Sequence, residues 1–215
     1  MDLASHDLVI FDCDGVLVDS ERLTVEVEAR MLTELGWSMT PAEVVSRFMG
    51  RSLAWELQEI TERLGAEAAL VFERRLVPEL TEVFAAELVP VEGLPVLLAV
   101  LAERGTSACV ASSGTPEGIR TKLDLTGLRG HFCDRISSAV EVEHGKPAPD
   151  LFLLAASRMG APPERCAVVE DSVPGVTAGV AAGMTVYGFA GGLSGPGDLA
   201  AAGATTFDRM ANLPP

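Results

Sequence analysis

Four short apolar runs constrain what this chain can become more than any other feature. They are Leu8-Val9-Ile10-Phe11, SACVAS (107–112), CAVVED (166–171) and MTVYGF (184–189). A strand with one wet face alternates apolar and polar residues, whereas an unbroken apolar run is buried on both faces. Helical stretches separate the later runs: one opens near Pro116 and another spans about Val173 to Ala182. Fully apolar strands alternating with helices predict a doubly wound parallel sheet, Rossmann-like, with helices on both faces. The first run has the same texture and joins that sheet.

Between about residues 21 and 86 the texture is helical throughout. Leu23, Val27 and Met31 form one stripe, and Leu53, Leu57, Ile60 and Leu64 form another. Thr40-Pro41-Ala42-Glu43 reads as an N-cap, a first-turn proline and a capping-box glutamate. Ser52 caps the next helix, and Gly65 closes it. This predicts an α/β core from residues 1–18 and 88–215, with a helical cap domain of four or so helices inserted over 19–87. The tail from GGLSGPGDLAAAGATTF onward reads as loop and edge structure.

The 215 residues carry a formal net charge of −15, which argues against nucleic acid and against an anionic membrane surface. No apolar stretch reaches the ~20 residues of a membrane span. MDLASHD has neither the basic nor the apolar region of a secretion signal, so the expectation is a soluble cytoplasmic protein. Cys13, Cys109, Cys133 and Cys166 form no C-x-x-C pair and read as small buried hydrophobes in a reducing compartment.

In an open α/β sheet, ligands bind beyond the carboxyl ends of the strands. Those ends are Asp12 to Gly15, Ala111-Ser112-Ser113-Gly114 and Glu170-Asp171-Ser172, with Lys146 in the intervening loop HGKPAPD. Asp12 and Asp14 point to the same side in extended backbone, and at about 4 Å their repulsion costs roughly 4 kcal/mol at an effective dielectric near 20. A divalent cation answers that repulsion. Asp12, Asp14, Glu170 and Asp171 form a hard-oxygen cluster suited to Mg²⁺ with a phosphate completing its shell. Asp12 would then serve as a carboxylate nucleophile. Lys146, Ser112 and backbone amides around Asp14, Gly15 and Ser113 would hold the transferring oxygens. Gly15 lets the backbone turn close to the ligand.

The ordered elements FDCDGVLVDS, VASSG, GKPAPD and VVEDS resemble those of the haloacid dehalogenase-like hydrolase superfamily. The likeness is to its helical-cap subgroup, which includes phosphoglycolate phosphatases and β-phosphoglucomutase-like enzymes. The resemblance implies Asp12 as nucleophile and Asp14 as general acid/base. It also implies phosphate binding by Ser112, Ser113 and Lys146. Mg²⁺ would be held by the Asp12 carboxylate, the Asp14 main-chain oxygen and Asp171, with Glu170 as direct or indirect helper.

Within that family an acid at Asp14 suits a leaving alkoxide, so a phosphate ester is expected. β-Phosphoglucomutase-like members carry a histidine one turn after the hydroxyl residue matched by Ser20. Thr24 stands there instead, and Arg51 lies two residues before the mutase's cap arginine. These departures favour a phosphatase, with a sugar phosphomutase as the alternative. The expected substrate is a small sugar, sugar-acid or polyol monophosphate, and the expected specificity contacts are Thr24, Met49, Gly50, Arg51 and Trp55 around the FMGRS turn. A phosphoryl-accepting receiver or binding protein is the non-enzyme alternative, but a receiver does not carry its phosphorylated aspartate on the first strand. The expected assembly is a monomer, with a dimer as the alternative.

Overall fold

The structure, a computed structural model, describes residues 3–49 and 51–213. Among the described residues six parallel strands form one sheet: β1 (Leu8–Phe11), β2 (Ser107–Ser112), β3 (Ile136–Ser138), β4 (Cys166–Glu170), β5 (Thr185–Phe189) and β6 (Thr205–Phe207). Their order is β3-β2-β1-β4-β5-β6. The chain divides into two compact units, with its boundaries between Asp19 and Ser20 and between Leu88 and Val89. The segment 20–88 holds α1 (Ser20–Glu34), α2 (Pro41–Phe48), α3 (Leu53–Leu64) and α4 (Ala66–Glu87). The sheet unit carries α5 (Leu94–Glu103), α6 (Pro116–Leu125), α7 (Arg129–Phe132), α8 (Asp150–Met159), α9 (Val173–Ala181) and α10 (Pro196–Ala201).

Strand β1 is central, and none of its four residues touches solvent appreciably. Leu8 and Ile10 join Cys109, Ala111, Cys166 and Val168 in a cluster completed by Phe152, Ala155 and Val176 from α8 and α9. The alternate positions Val9 and Phe11 are equally buried, and Phe11 meets Phe132 edge-on with ring centroids 6.2 Å apart. Both faces are therefore covered, and each such side chain contributes about 1.5–3 kcal/mol through burial. The register carries this packing into function. Phe11 pairs with Val110 on one side and Val169 on the other, so Asp12 comes abreast of Glu170. The Asp12 amide donates to Val169 O at 3.0 Å, extending the ladder one residue past β1.

Two strands lie beyond the four read from apolar runs. β3 and β6 are three-residue strands at the two sheet edges. The tail read as loop and edge structure includes β6 at the edge, and it also contains α10. Pro196 opens that helix, with Asp198 in its first turn, a favourable start for a short helix. Cys13, Cys109 and Cys166 are buried, Cys133 is exposed, and none of the four is disulfide-bonded.

Within 20–88, Leu23, Val27 and Met31 are buried as their spacing predicts. Of the second stripe Ile60 is buried, Leu57 and Leu64 are half-buried, and Leu53 is exposed at the first turn of α3. The capping box closes as expected: Thr40 N donates to Glu43 Oε2 at 2.8 Å, and Glu43 N to Thr40 Oγ1 at 3.3 Å. Phe48 packs edge-on against both Trp37 and Trp55.

The two ends of this insertion meet within the sheet unit. Val18 forms an antiparallel bridge with Pro90. Asp19 N donates to Val89 O, and Val91 N to Leu17 O, each at 3.1 Å.

Candidate active site

The sheet order reverses direction between β1 and β4, and the open end of that switch point is where such folds bind ligands. Asp12 emerges there, buried, at the end of β1. The chain then folds back sharply. Leu17 N reaches Cys13 O at 2.9 Å, and Gly15 N reaches Val18 O at 2.9 Å. Gly15 has φ of 74°, a left-handed conformation open to glycine at little cost. This turn sets Asp14 beside the buried acid cluster, where its carboxylate Oδ1 accepts from the ammonium of Lys122 on α6.

Lys146 lies in the loop before α8 with its side chain only 7 % exposed, too deep to be an ordinary surface lysine. Its Nζ donates to Asp12 Oδ1 at 2.6 Å and to Glu170 Oε2 at 2.7 Å, and it stands 5.1 Å from the Phe152 ring centroid. The other Glu170 oxygen, Oε1, accepts from Asp171 N (3.1 Å), Ser172 N (3.0 Å) and Ser172 Oγ (2.7 Å). Ser172 in turn caps α9, accepting from Gly175 N at 3.1 Å. Glu170 thus ties the lysine to a helix start, and both of its oxygens are engaged.

The electrostatics follow from this burial. Removal from water pushes the Asp12 carboxyl up to about 7, Lys146 opposes that rise, and Glu170 and Asp14 add to it. Burial alone would lower the Lys146 ammonium, but Asp12 and Glu170 more than reverse it and hold it above its ordinary value. Asp12, Glu170 and Asp171, all buried, each offer an oxygen within 4.8 Å of the others. Clustered hard oxygens of this kind fit a small divalent cation, which would relieve the cost of crowding like charges in a dry place.

Ser112 ends β2, buried, and its Oγ accepts from Gly114 N at 3.2 Å. Ser113, next to it, is exposed. The sequence-derived residues Asp12, Asp14, Ser112, Ser113, Lys146, Glu170 and Asp171 therefore share the sheet unit, at strand ends or in the loop before α8. The other candidates belong to the helical unit. Thr24 lies on α1 and donates from Oγ1 to Ser20 O at 2.9 Å. Met49 caps the end of α2. Arg51 is exposed, with its guanidinium 5.2 Å from the ring centroid of Trp55 in the first turn of α3. Gly50 lies outside the described residues.

Sequence reasoning missed Lys122 and Gly175. Lys122 is one polar residue in an amphipathic helix and carries no signal apart from the fold. Gly175 sits in the helical run VPGVTAG, where its reason, close approach to Glu170, becomes visible only in three dimensions.

A sequence model described as haloacid dehalogenase-like hydrolase matches residues 6–183, and the chain belongs to that family of enzymes. It is 32% identical over 184 residues to 6-phosphogluconate phosphatase of Escherichia coli, spanning 85% of this chain and 82% of that one. A haloacid dehalogenase-like protein of unknown function from Agrobacterium tumefaciens superposes with a TM-score of 0.86 at 34% identity, over 96% of this chain and 95% of the other. A hydrolase of the family from Deinococcus radiodurans, solved with bound phosphate and sodium, gives a TM-score of 0.82 at 31% identity, over 94% and 90% of the two chains.

Proposed function

We propose that the chain is a Mg²⁺-dependent phosphatase of small phosphomonoesters, with sugar, sugar-acid or polyol phosphates as the substrate class. The observation that carries this reading is the Lys146–Asp12 contact of 2.6 Å at the switch point of the sheet. It joins a nucleophilic carboxylate to a buried cation able to draw phosphoryl oxygens toward it. The similarity to a 6-phosphogluconate phosphatase supports the substrate class.

Asp12 and Asp171, with the Asp14 main-chain oxygen, would hold the metal, while Glu170 holds Lys146. When bound, Mg²⁺ neutralises charge on the phosphate and on the carboxylates around it. Lys146 and the Ser112–Gly114 turn orient the phosphoryl oxygens. A carboxylate oxygen of Asp12 attacks phosphorus as the ester P–O bond breaks, and Asp14 donates a proton to the departing alkoxide. Asp14 then takes a proton from water. The water oxygen attacks phosphorus, the bond to Asp12 breaks, and inorganic phosphate leaves. One ester and one water give one alcohol and one phosphate.

Thr24 has no group that exchanges protons near neutral pH, which supports hydrolysis over a mutase reaction. The test is Mg²⁺-dependent phosphate release from a panel of hexose, pentose, polyol and sugar-acid phosphates, with Asp12→Asn in parallel. Multiple turnovers abolished in Asp12→Asn support the proposal. Conversion of β-glucose 1-phosphate to glucose 6-phosphate with little free phosphate refutes it.

A further inference from the structure

We infer that Lys122 is a positioning residue for Asp14, its ammonium fixing that carboxylate through Oδ1 where it can serve first the ester oxygen and then water. The inference rests on the acid/base role given to Asp14 above.

Two lysines divide three of the acids of this site between them. Lys146 engages Asp12 and Glu170, and Lys122 engages Asp14. Asp14 is the acid most in need of such a hold. Its side chain is 33% exposed, against 9% for Asp12 and 1% for Glu170, and it lies on a turn beyond the strand ladder. The holder is firmly mounted. Thr115 caps α6 by accepting from Gly118 N at 3.2 Å, Pro116 opens the helix, and Ile119 and Leu123 are buried beneath it. Thr126 Oγ1 returns to the Lys122 carbonyl at 2.7 Å. The Lys122 side chain is itself only 20% exposed, so its pairing is not an ordinary surface ion pair.

A general acid/base acts only within hydrogen-bond reach of the atom it serves, and a shift of about 1 Å can cost on the order of 100-fold in rate. The turn around it is buried, with Cys13, Val16, Leu17 and Val18 closed to solvent, but the Asp14 side chain keeps room to swing and without a hold would spend its time elsewhere. A lysine used directly on phosphate would instead act in binding, and its loss would appear in KM.

The experiment is a double-mutant cycle on the full chain with Mg²⁺ and the best phosphate ester of the panel. Asp14→Asn should lower kcat by about 100- to 10,000-fold. Lys122→Met should lower kcat by about 10- to 100-fold with KM within about twofold, and Lys122→Arg should recover part of that loss. In the Asp14→Asn background, Lys122→Met should have no further effect beyond about twofold, because the group it positions is gone. If Lys122→Met folds poorly, Lys122→Gln takes its place in the same cycle. A rise in KM at unchanged kcat, or a full additional loss in the double variant, overturns the inference while leaving the acid/base reading intact. Undiminished activity in Asp14→Asn, or a wild type inert on the whole panel, overturns both.

Discussion

A Cβ added to Gly175 would lie 2.0 Å from Cδ of Glu170 and 2.2 Å from its Oε2. The start of α9 is therefore pressed against the carboxylate that accepts from Lys146, and only the absence of a side chain permits it. Gly175→Ala should displace Glu170, costing about 1–3 kcal/mol in stability and much of the activity. Gly179→Ala is the control. Its Cβ would meet Val186 Cγ2 at 2.7 Å, in the core and apart from the site's polar groups. Thermal melts should show both variants destabilised, while turnover per folded molecule falls only for Gly175→Ala.

Removal of the metal should stop turnover, and added Mg²⁺ should restore it. Asp171→Asn should weaken Mg²⁺ binding by at least about tenfold, because it removes one charge from the three-carboxylate cluster. Calorimetric titration with Mg²⁺ reads this without reference to activity. Asp12→Asn should lose on the order of 1,000-fold or more in kcat, as expected when a covalent nucleophile is removed.

Lys146 offsets two buried carboxylates. Lys146→Met leaves both without their cation, and breaking buried pairs of this kind costs about 3–5 kcal/mol. Denaturant unfolding of the metal-free protein checks this value. Added Mg²⁺ should narrow the gap between variant and wild type, since it binds the folded state and supplies positive charge to the same cluster.

Glu28 and Glu56 predict how stability varies with pH. Burial, reinforced by Glu56, raises Glu28 to about 8, and burial raises Glu56 to about 7. Glu56 Oε1 is buried without a hydrogen-bond partner among the described residues, as suits a neutral carboxyl better than a charged one. In the unfolded chain both groups lose their protons near pH 4.5. The folded state therefore binds more protons between about pH 4.5 and 8, and stability falls as pH rises through that window. Glu28→Gln and Glu56→Gln should each flatten the decline, by on the order of 2 kcal/mol at its upper end. Melting temperatures at pH 5.5 and 8.5 provide the check.

What could be read in the sequence follows from where each signal resides. β1, β2, β4 and β5 announce themselves because burial on both faces demands uninterrupted apolar residues. β3 is Ile136-Ser137-Ser138 and β6 is Thr205-Thr206-Phe207, too short and too rich in hydroxyls to show a period. α10 went unread because six residues containing Pro, Gly and Asp resemble a loop. Asp12, Asp14, Lys146, Glu170 and Asp171 stand out as charges at the ends of apolar runs or in a Gly/Pro loop. Lys122 could not, since its meaning depends on α6 lying beside the Asp14 turn.

The bridge between Val18 and Pro90, and the bonds from Asp19 to Val89 and from Val91 to Leu17, give the insertion a tied neck. These bonds help offset the cost of closing segment 20–88 into a loop, and that cost rises by only about 0.6 kcal/mol for each doubling of its length. That makes the segment an exchangeable cassette. Helical units of other lengths and contents could be grafted at Asp19 and Val89 without disturbing the register that brings Asp12 abreast of Glu170. In a lineage built on this chain the helical segment and the strand register can therefore vary independently.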